Sequence, residues 1–391
     1  MKFLKKLSEF QYNHSVGIIL VVLLITLILG AGTTNISMQS DMSKMMPQEL
    51  EIYRIADQID DKFGGQDASI VLLKINGANR DGVYDIRDPR VIKFLVELED
   101  SLEGEDLISG VQSIGMIFTE STIPQNLEMS KQIFSGVPVF DSFFNKDYSA
   151  TIVLISSDLG GSEDKIKELE ILINEKVSEI SQPENVDIHI TGNPQIRSMI
   201  LDLLAKDAVY TILIAAIIIF ILLILMEKSF TKALLVSVPL LFGITWTLGS
   251  MGWLGVKLSI ATVGIGAMIL GLGVEYGVFI VSRYSEERKN KTAKKSLTIA
   301  VQEVGSSILG SGSTTIMGFL ALTLSIMPML RDLGLSLAMG ITFSLTAAVL
   351  VNPPIIILEE KFEEWSTQRK HKEVSKKLAK HEERRKLNEN H

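Results

Sequence analysis

Val209-Tyr210-Thr211-Ile212-Leu213-Ile214-Ala215-Ala216-Ile217-Ile218-Ile219-Phe220-Ile221-Leu222-Leu223-Ile224-Leu225-Met226 is a run of eighteen residues without a charge, a glycine or a proline. A helix needs about 20 such residues to cross a hydrocarbon core of about 30 Å. Five further stretches come close to this length and character, at Ser15–Gly32, Ala233–Leu254, Leu258–Val281, Val304–Met327 and Leu333–Leu358. The reading is therefore a polytopic α-helical membrane protein with six transmembrane helices. The first stretch is long, lacks an obvious small-x-small cleavage site and is followed by five more, so it reads as a span rather than a cleaved signal.

The chain has 391 residues, 47 % hydrophobic and 21 % charged, with a net charge of −8. It has no cysteine, which excludes a disulfide framework, a thiolate zinc site, an iron–sulfur cluster and a cysteine nucleophile. The five histidines (His14, His189, His371, His381 and His391) include no pair at helical ligand spacing. The charge is unevenly placed. Residues 35–205 hold 30 Asp and Glu against 14 Lys and Arg, and everything else is net +8. The basic residues sit at Lys2, Lys5 and Lys6, at Lys228 and Lys232, within residues 283–298 and in the tail. With six spans, all of these fall on one side, and loops rich in Lys and Arg mark the cytoplasmic side. The expected layout has a cytoplasmic N-terminus and first span over residues 1–34. An extracytoplasmic domain follows over 35–205, then spans two to six over 206–358 and a charged cytoplasmic tail over 359–391. The basic residues are juxtamembrane and mixed with Glu, which excludes a nucleic-acid partner. Membrane lipids are the expected surroundings.

Residues 35–205 repeat a strand–helix–strand pattern. Ser69–Ile75 reads as a strand, and Asp88-Pro89 supplies an N-cap and a first-turn proline. Val91, Phe94, Leu95 and Leu98 follow at helical spacing up to Gly104, and Ile108–Ile117 reads as a second strand. The order returns with a strand over Thr151–Ser156, a loop at Gly160-Gly161, a helix from Ser162 to Ile180 and a strand at Val186–Ile190. A turn is expected at Thr191-Gly192-Asn193-Pro194. Two such units suggest one large ferredoxin-like α+β domain. Residues 118–148 look irregular and read as a mobile flap. Asp202, Lys206 and Asp207 read as interfacial charges on a helix continuing into the second span.

Glu275 is the one carboxylate well inside any span. A central charge costs about 3 kcal/mol on insertion scales, so such a residue marks a functional site by default. Burial would raise its pKa and let it exchange a proton near working pH. Tyr276 can donate a hydrogen bond to the ionised form. Adjacent residues diverge by about 100° on a helix, so its partner is expected on another helix. Gly264, Gly266, Gly271, Gly273 and Gly277 share this span and mean close helix packing. In the fifth span Thr314 and Thr315 either bond back to their own helix or face Glu275 and pass a proton. Glu303 reads as an interfacial charge, Arg331-Asp332 as a helix-end pair, and Asn352-Pro353-Pro354 as a kink or stop.

These residues resemble the resistance-nodulation-division (RND) superfamily. The resemblance rests on Trp246-x-x-Gly249-x-Met251-Gly252-x-x-Gly255, on Gly271-x-Gly273-x-Glu275-Tyr276 leading to Ser282-Arg283-Tyr284-x-Glu286-Glu287, and on Thr314-Thr315-x-x-Gly318-Phe319. It covers residues 1–358 and points to the hydrophobe/amphiphile exporter branch, near the mycobacterial large membrane proteins (MmpL), hopanoid transporters and Patched-like sterol-sensing proteins. It implies proton-driven export of hydrophobic or amphiphilic compounds through an outer porter domain. It implies no enzymatic activity and no cofactor beyond the proton gradient, and a location in the plasma membrane. The family's Asp-Tyr proton relay carries over to Glu275 and Tyr276, with Glu one methylene longer. Full-length members hold two repeats and twelve spans, so one repeat implies a homodimer. Two-fold symmetry would then let Glu275 of each protomer bond Tyr276 of the other. A lipid-sensing scaffold and a SecD/SecF-like protein-translocation accessory are the competing classes.

Overall fold

The computed structural model describes residues 2–63, 67–77, 82–157, 159 and 162–369. The chain divides into two compact units, Met38–Ala205 and a unit made of Met1–Ser37 with Lys206–His391. It opens with helices α1 (Lys2–Asn13) and α2 (Ser15–Ala31). Residues of the first-named unit follow as α3 (Glu51–Phe63), β1 (Asp67–Ile75), α4 (Pro89–Leu102), β2 (Ile108–Gln112), α5 (Leu127–Ser135), β3 (Ala150–Ser157), α6 (Glu163–Glu179) and β4 (Val186–Gly192). The helix α7 (Asn193–Glu227) then runs unbroken for 35 residues. After it come α8 (Phe230–Leu254), α9 (Ile265–Arg288), α10 (Ala293–Leu322) and α11 (Pro328–Leu350).

The mixed unit is built on one four-stranded sheet in the order β2-β3-β1-β4, with every neighbouring pair antiparallel. Strand β3 lies between β1 and β2, and β1 lies between β3 and β4, so the two strand–helix–strand units interleave. Val71 stands opposite Val153 on one side and Ile190 on the other. Alternate residues of β1 and β3 face inward, and α4 and α6 cover them with Val91, Phe94, Leu95 and Leu98 and with Ile166, Leu169 and Ile173. The start of α4 follows the capping rule. The Asp88 carboxylate accepts the Arg90 amide at 2.9 Å, and Pro89 occupies the first turn, where its missing N–H costs nothing.

Three expectations for this unit change. Strand β2 stops at Gln112 instead of Ile117, because the Ser113 hydroxyl accepts the Gly115 amide at 2.8 Å and turns the chain. No separate turn stands at residues 191–194. Gly192, at φ +127°, passes the chain from β4 straight into α7, and Pro194 sits harmlessly in the first helical turn. Residues 118–148 are packed rather than a flap. They form α5, capped by Asn126, and a 3-10 turn at Pro138–Phe143. Phe134 is buried and meets Phe118, Phe140 and Phe144 edge to face at 5.8, 6.1 and 5.2 Å. The aromatics, which carry no helical period, hold the segment down. The expected loop at Gly160-Gly161 lies outside the described residues.

Arg197, on the first turns of α7, is only 5 % exposed. Its guanidinium lies 3.5 Å from Glu163, 3.7 Å from Asp67 and 4.0 Å from Asp41. Glu163 also accepts the Ser40 hydroxyl at 2.6 Å and the Ser40 amide at 3.2 Å. One buried cation thus ties the segment before α3, the start of β1, the start of α6 and α7. Elsewhere in the unit, burial pushes the Glu99 carboxyl above its usual range, against the opposing bond from Ser113. Burial also acts to raise Asp85, but the bidentate Arg87 outweighs it and holds the carboxyl low.

In the helical unit, five helices among the described residues are long and apolar enough to cross a membrane: Ser15–Asn35, Asn193–Glu227, Phe230–Leu254, Ile265–Arg288 and Pro328–Arg369. The helix α10 holds the fifth expected stretch but falls short in hydropathy, because Ser306, Ser307, Ser311, Ser313, Thr314 and Thr315 dilute its apolar residues. The helix α9 starts at Ile265, not Leu258, since the Thr262 hydroxyl accepts the Ser259 amide at 2.8 Å and holds a turn before it. After α11 the chain turns at Val351 and resumes as helix to Arg369, the kink that Asn352-Pro353-Pro354 announces. The Trp246 indole donates to the Thr26 hydroxyl at 2.8 Å and pins α8 to α2.

Glycines bring α9 close to its neighbours. A methyl on Gly273 would lie 2.9 Å from Ser344 Cβ of α11 and 3.1 Å from Leu240 of α8. On Gly277 it would lie 3.0 Å from Val236 and 3.3 Å from the Asn352 amide, and on Gly266 it would run into Ile212. Small residues at such crossings let helix backbones approach and gain van der Waals contact.

Two measurements test these contacts. Arg197→Ala is expected to lower the unfolding free energy of the mixed unit by about 3 kcal/mol, the cost of leaving paired carboxylates without their buried partner; an unchanged denaturation midpoint in that unit excludes the clamp. Gly273→Leu is expected to destabilise the helical unit by about 2 kcal/mol through overpacking, while Gly271→Leu, where a side chain meets nothing within 4 Å, leaves it folded as before. Equal melting temperatures for the two variants would contradict the packing.

Candidate functional site

The site is built on α9. With Gly273 and Gly277 pressed onto α8 and α11, the rotation of α9 is set, and neighbouring residues about 100° apart take opposite surroundings. Tyr276 points inward and is 1 % exposed, among Ile280, Ile308, Ile341 and Leu345. Its phenol oxygen lies 3.6 Å from the position that a methyl on Gly312 of α10 would take. Glu275 points the other way and is exposed, in one uncovered stripe with Met268, Gly271, Leu272 and Phe279. Among the described residues no hydrogen bond or ion pair reaches its carboxylate. Gly271 belongs to this outward stripe and Gly264 precedes the helix, and neither would bring a side chain against anything.

Tyr276 is enclosed by residues of its own chain, and among the described residues no hydrogen bond joins it to Glu275. The threonines are also separated from the carboxylate. Thr314 and Thr315 donate to the Ser311 carbonyl at 2.7 and 3.1 Å, and no hydrogen bond joins either to Glu275 or Tyr276. Thr314 nevertheless belongs to an uncovered stripe of small and polar residues on α10, with Ser307, Ser311 and Gly318 at spacings of three and four. The helices α9 and α10 are packed neighbours. Each therefore presents one uncovered face, one bearing a carboxylate and the other hydroxyls.

Three arrangements join residues whose pairing the sequence does not show. Asn352 is fully buried, and neither its amide oxygen nor its amide nitrogen has a partner among the described residues. It lies against Gly277, in an i, i+4 series with Ser336, Gly340, Ser344 and Ala348 that faces the interior, and the two serine hydroxyls are also buried without a partner. Only its proline neighbours drew attention in the sequence, whereas the four-residue spacing could have found it. The second feature is the charged end of α9. Arg283 reaches Glu286 and Glu287 at 2.9 Å and Glu303 of α10 at 2.7 Å. Arg288 bonds Glu360 at 2.6 Å, Tyr284 bonds the same carboxylate, and Ser282 donates to Glu227 of α7 at 2.6 Å. The third is Arg331, which does not pair with Asp332 but donates to the Ser325 carbonyl at 2.6 Å, closing the turn after α10.

Comparison with known proteins places this arrangement. A membrane protein of Methanocaldococcus jannaschii is 34 % identical over 367 residues, covering 92 % of this chain and 95 % of its own length. The apo-petrobactin exporter of Bacillus anthracis is 24 % identical over 61 % of this chain, and the siderophore exporter MmpL5 of Mycobacterium tuberculosis is 24 % identical over 64 %. Those matches cover 33 % and 26 % of the exporters' own length. The MMPL family matches residues 47–385, which include the whole α9–α10 site. The chain is therefore a membrane protein of the MMPL family, in the MmpL branch of the RND superfamily.

Proposed function

We propose that this chain is half of a proton-driven secondary transporter that moves hydrophobic or amphiphilic compounds, lipids foremost, and that a second copy completes it. The observation that carries the reading is Glu275, an uncovered carboxylate in the middle of a membrane-crossing helix. Left against hydrocarbon, an ionised group there costs about 3 kcal/mol. Covering the α9 and α10 faces with the same faces of a second copy removes that cost and makes a twelve-helix unit around a two-fold axis along the membrane normal.

In such a pair the partner for Glu275 is the hydroxyl stripe of α10, not Tyr276. The Thr314 hydroxyl already donates to its own helix, so its free lone pair suits a protonated Glu275. Loss of the proton leaves an anion that this hydroxyl cannot serve without rotating away from Ser311. The two protonation states thus favour different packings of α9 against α10, and a proton gradient can drive a rocking motion between them. Tyr276 and Thr315 act behind this contact, holding the inward faces of the two helices. Gly266, Gly273 and Gly277 keep α9 in rotation.

The mixed unit is the porter domain in this reading. Its β-α-β-β-α-β order and its β2-β3-β1-β4 sheet support a ferredoxin-like assignment. With α10 counted as a span, the helical unit has six. The Lys and Arg distribution then supports a plasma-membrane topology with both termini in the cytoplasm and residues 35–205 outside. The names of the exporters it resembles support cargo of amphiphilic character, and the family supports transport rather than enzymatic chemistry.

Proton-coupled lipid flux in proteoliposomes is the direct test. Glu275→Gln is expected to cut flux at least tenfold with the fold intact, whereas unchanged flux removes Glu275 from the mechanism. If the unaltered chain moves no lipid at all, a sensing or protein-translocation role takes its place. The chain lacks cysteine, so Leu272→Cys gives a single thiol on the Glu275 face. It is expected to crosslink two copies in a bilayer under oxidation, while Leu20→Cys on α2 does not. A Leu272→Cys chain that stays monomeric under these conditions excludes the two-fold contact.

A further inference from the structure

Three of the faces of α1 decide its surroundings, set by about 100° of rotation per residue. Leu4, Ser8 and Gln11 fall on one face together with Ser15, which follows the helix, and all four are buried. Gln11 Nε2 donates to the Val349 carbonyl of α11 at 2.9 Å. Ser8 Oγ lies 3.3 Å from Thr298 Oγ1 of α10, and Leu4 covers Gly305 of the same helix. The helix is therefore docked on its own unit along its length. About 100° further round, Phe3, Leu7, Phe10 and His14 form a second face. Phe3 is 74 % and Phe10 54 % exposed, and the Phe10 ring stacks on His14 with 4.7 Å between centroids. Lys2, Lys6, Glu9 and Asn13 make the third face, and Lys2 and Lys6 border the aromatic one.

An aromatic face flanked by lysines on a helix already docked along another face needs a second apolar neighbour. We infer that this neighbour is the bilayer surface. Phe3 and Phe10 lie among the acyl chains of the leaflet in which α2 begins, and Lys2 and Lys6 rest on anionic headgroups. Three observations favour a lipid surface over a protein partner. A single residue, His14, separates α1 from α2, so the helix is held where a membrane-crossing helix starts. The three-and-four spacing of Phe3, Phe10 and His14 carries on into α2 through Val21, Leu24 and Ile28, all uncovered and apolar. A second copy of α1 on the same face would bring Lys2 and Lys6 against their own kind. A helix with aromatic residues on one face and lysines beside it lies in the interface, where long lysine stems carry the charge to the headgroups. The inference requires only that α2 cross a membrane, and it stands whether or not the chain transports anything.

Spin labels on the cysteine-free chain test it. Phe3→Cys and Phe10→Cys are labelled in the full chain, reconstituted into phosphatidylcholine bilayers with and without phosphatidylglycerol. Leu20→Cys serves as the hydrocarbon reference and Asn13→Cys as the aqueous one. Collision with oxygen and with a water-soluble nickel chelate is then measured. The expected result is that both phenylalanine positions behave like Leu20, with nickel collision at Phe3 falling at least twofold when the anionic lipid is added. Lys2→Gln with Lys6→Gln is expected to remove that fall. Labels that collide with nickel as freely as Asn13 overturn the inference by placing the face in water. Labels shielded from both reagents overturn it by placing a protein there. A Phe3 signal indifferent to phosphatidylglycerol overturns the headgroup contact.

Discussion

The rotation of α9 governs the site. Gly273 and Gly277 admit α8 and α11 to within contact of the helix backbone, and no other residue type fits there without displacing Ser344, Leu240 or Val236. Once that face is committed, the opposite one is committed too. Tyr276 enters the interior beside Gly312 and Glu275 is left on the outside. A rotation of about 100° would exchange their surroundings, and the glycines forbid it. The outward carboxylate is thus a consequence of packing on the far side of its own helix.

The archaeal relative matches from end to end, while the exporters are three to four times longer than their matched segments. A carboxylate facing outward is costly in a lone bundle and is relieved when another bundle covers it. Glycine packing on the inner side of α9 and α11, with Asn352 and two serines buried and unpartnered, gives the interior a polar seam of its own. The charged network at the end of α9 anchors the helix to α7, α10 and the segment after Val351. Motion of α9 is therefore constrained at one end and by glycines along its length, which favours rigid-body movement over local unwinding.

The mixed unit obeys a different logic. Its sheet and helices pack by the ordinary alternation of buried and exposed residues, and its integrity near α7 depends on one cation. Arg197 gathers three carboxylates from three separate stretches of chain. Breaking such a buried contact is expensive because the remaining charges lose their counterpart. The aromatic group around Phe134 does the equivalent work for residues 118–148 with apolar surface alone.

The sequence by itself determined where helices and strands lie wherever a period was present. Spans announced themselves by length without charge, strands β1 and β3 by their apolar residues, and α4 by Asp88-Pro89 and its apolar spacing. Glu275 was legible because a carboxylate in an apolar run is anomalous on its own helix. The tertiary structure decided everything that depends on a second element. It turned Tyr276 into the interior, bound Thr314 and Thr315 to their own backbone, and packed residues 118–148 through phenylalanines that share no period. It also joined Arg197 to carboxylates far away in sequence. Periodicity reports which face of an element is apolar, because that is a property of one chain segment. Which apolar face meets which neighbour depends on the fit of two surfaces, and that fit has no one-dimensional signature.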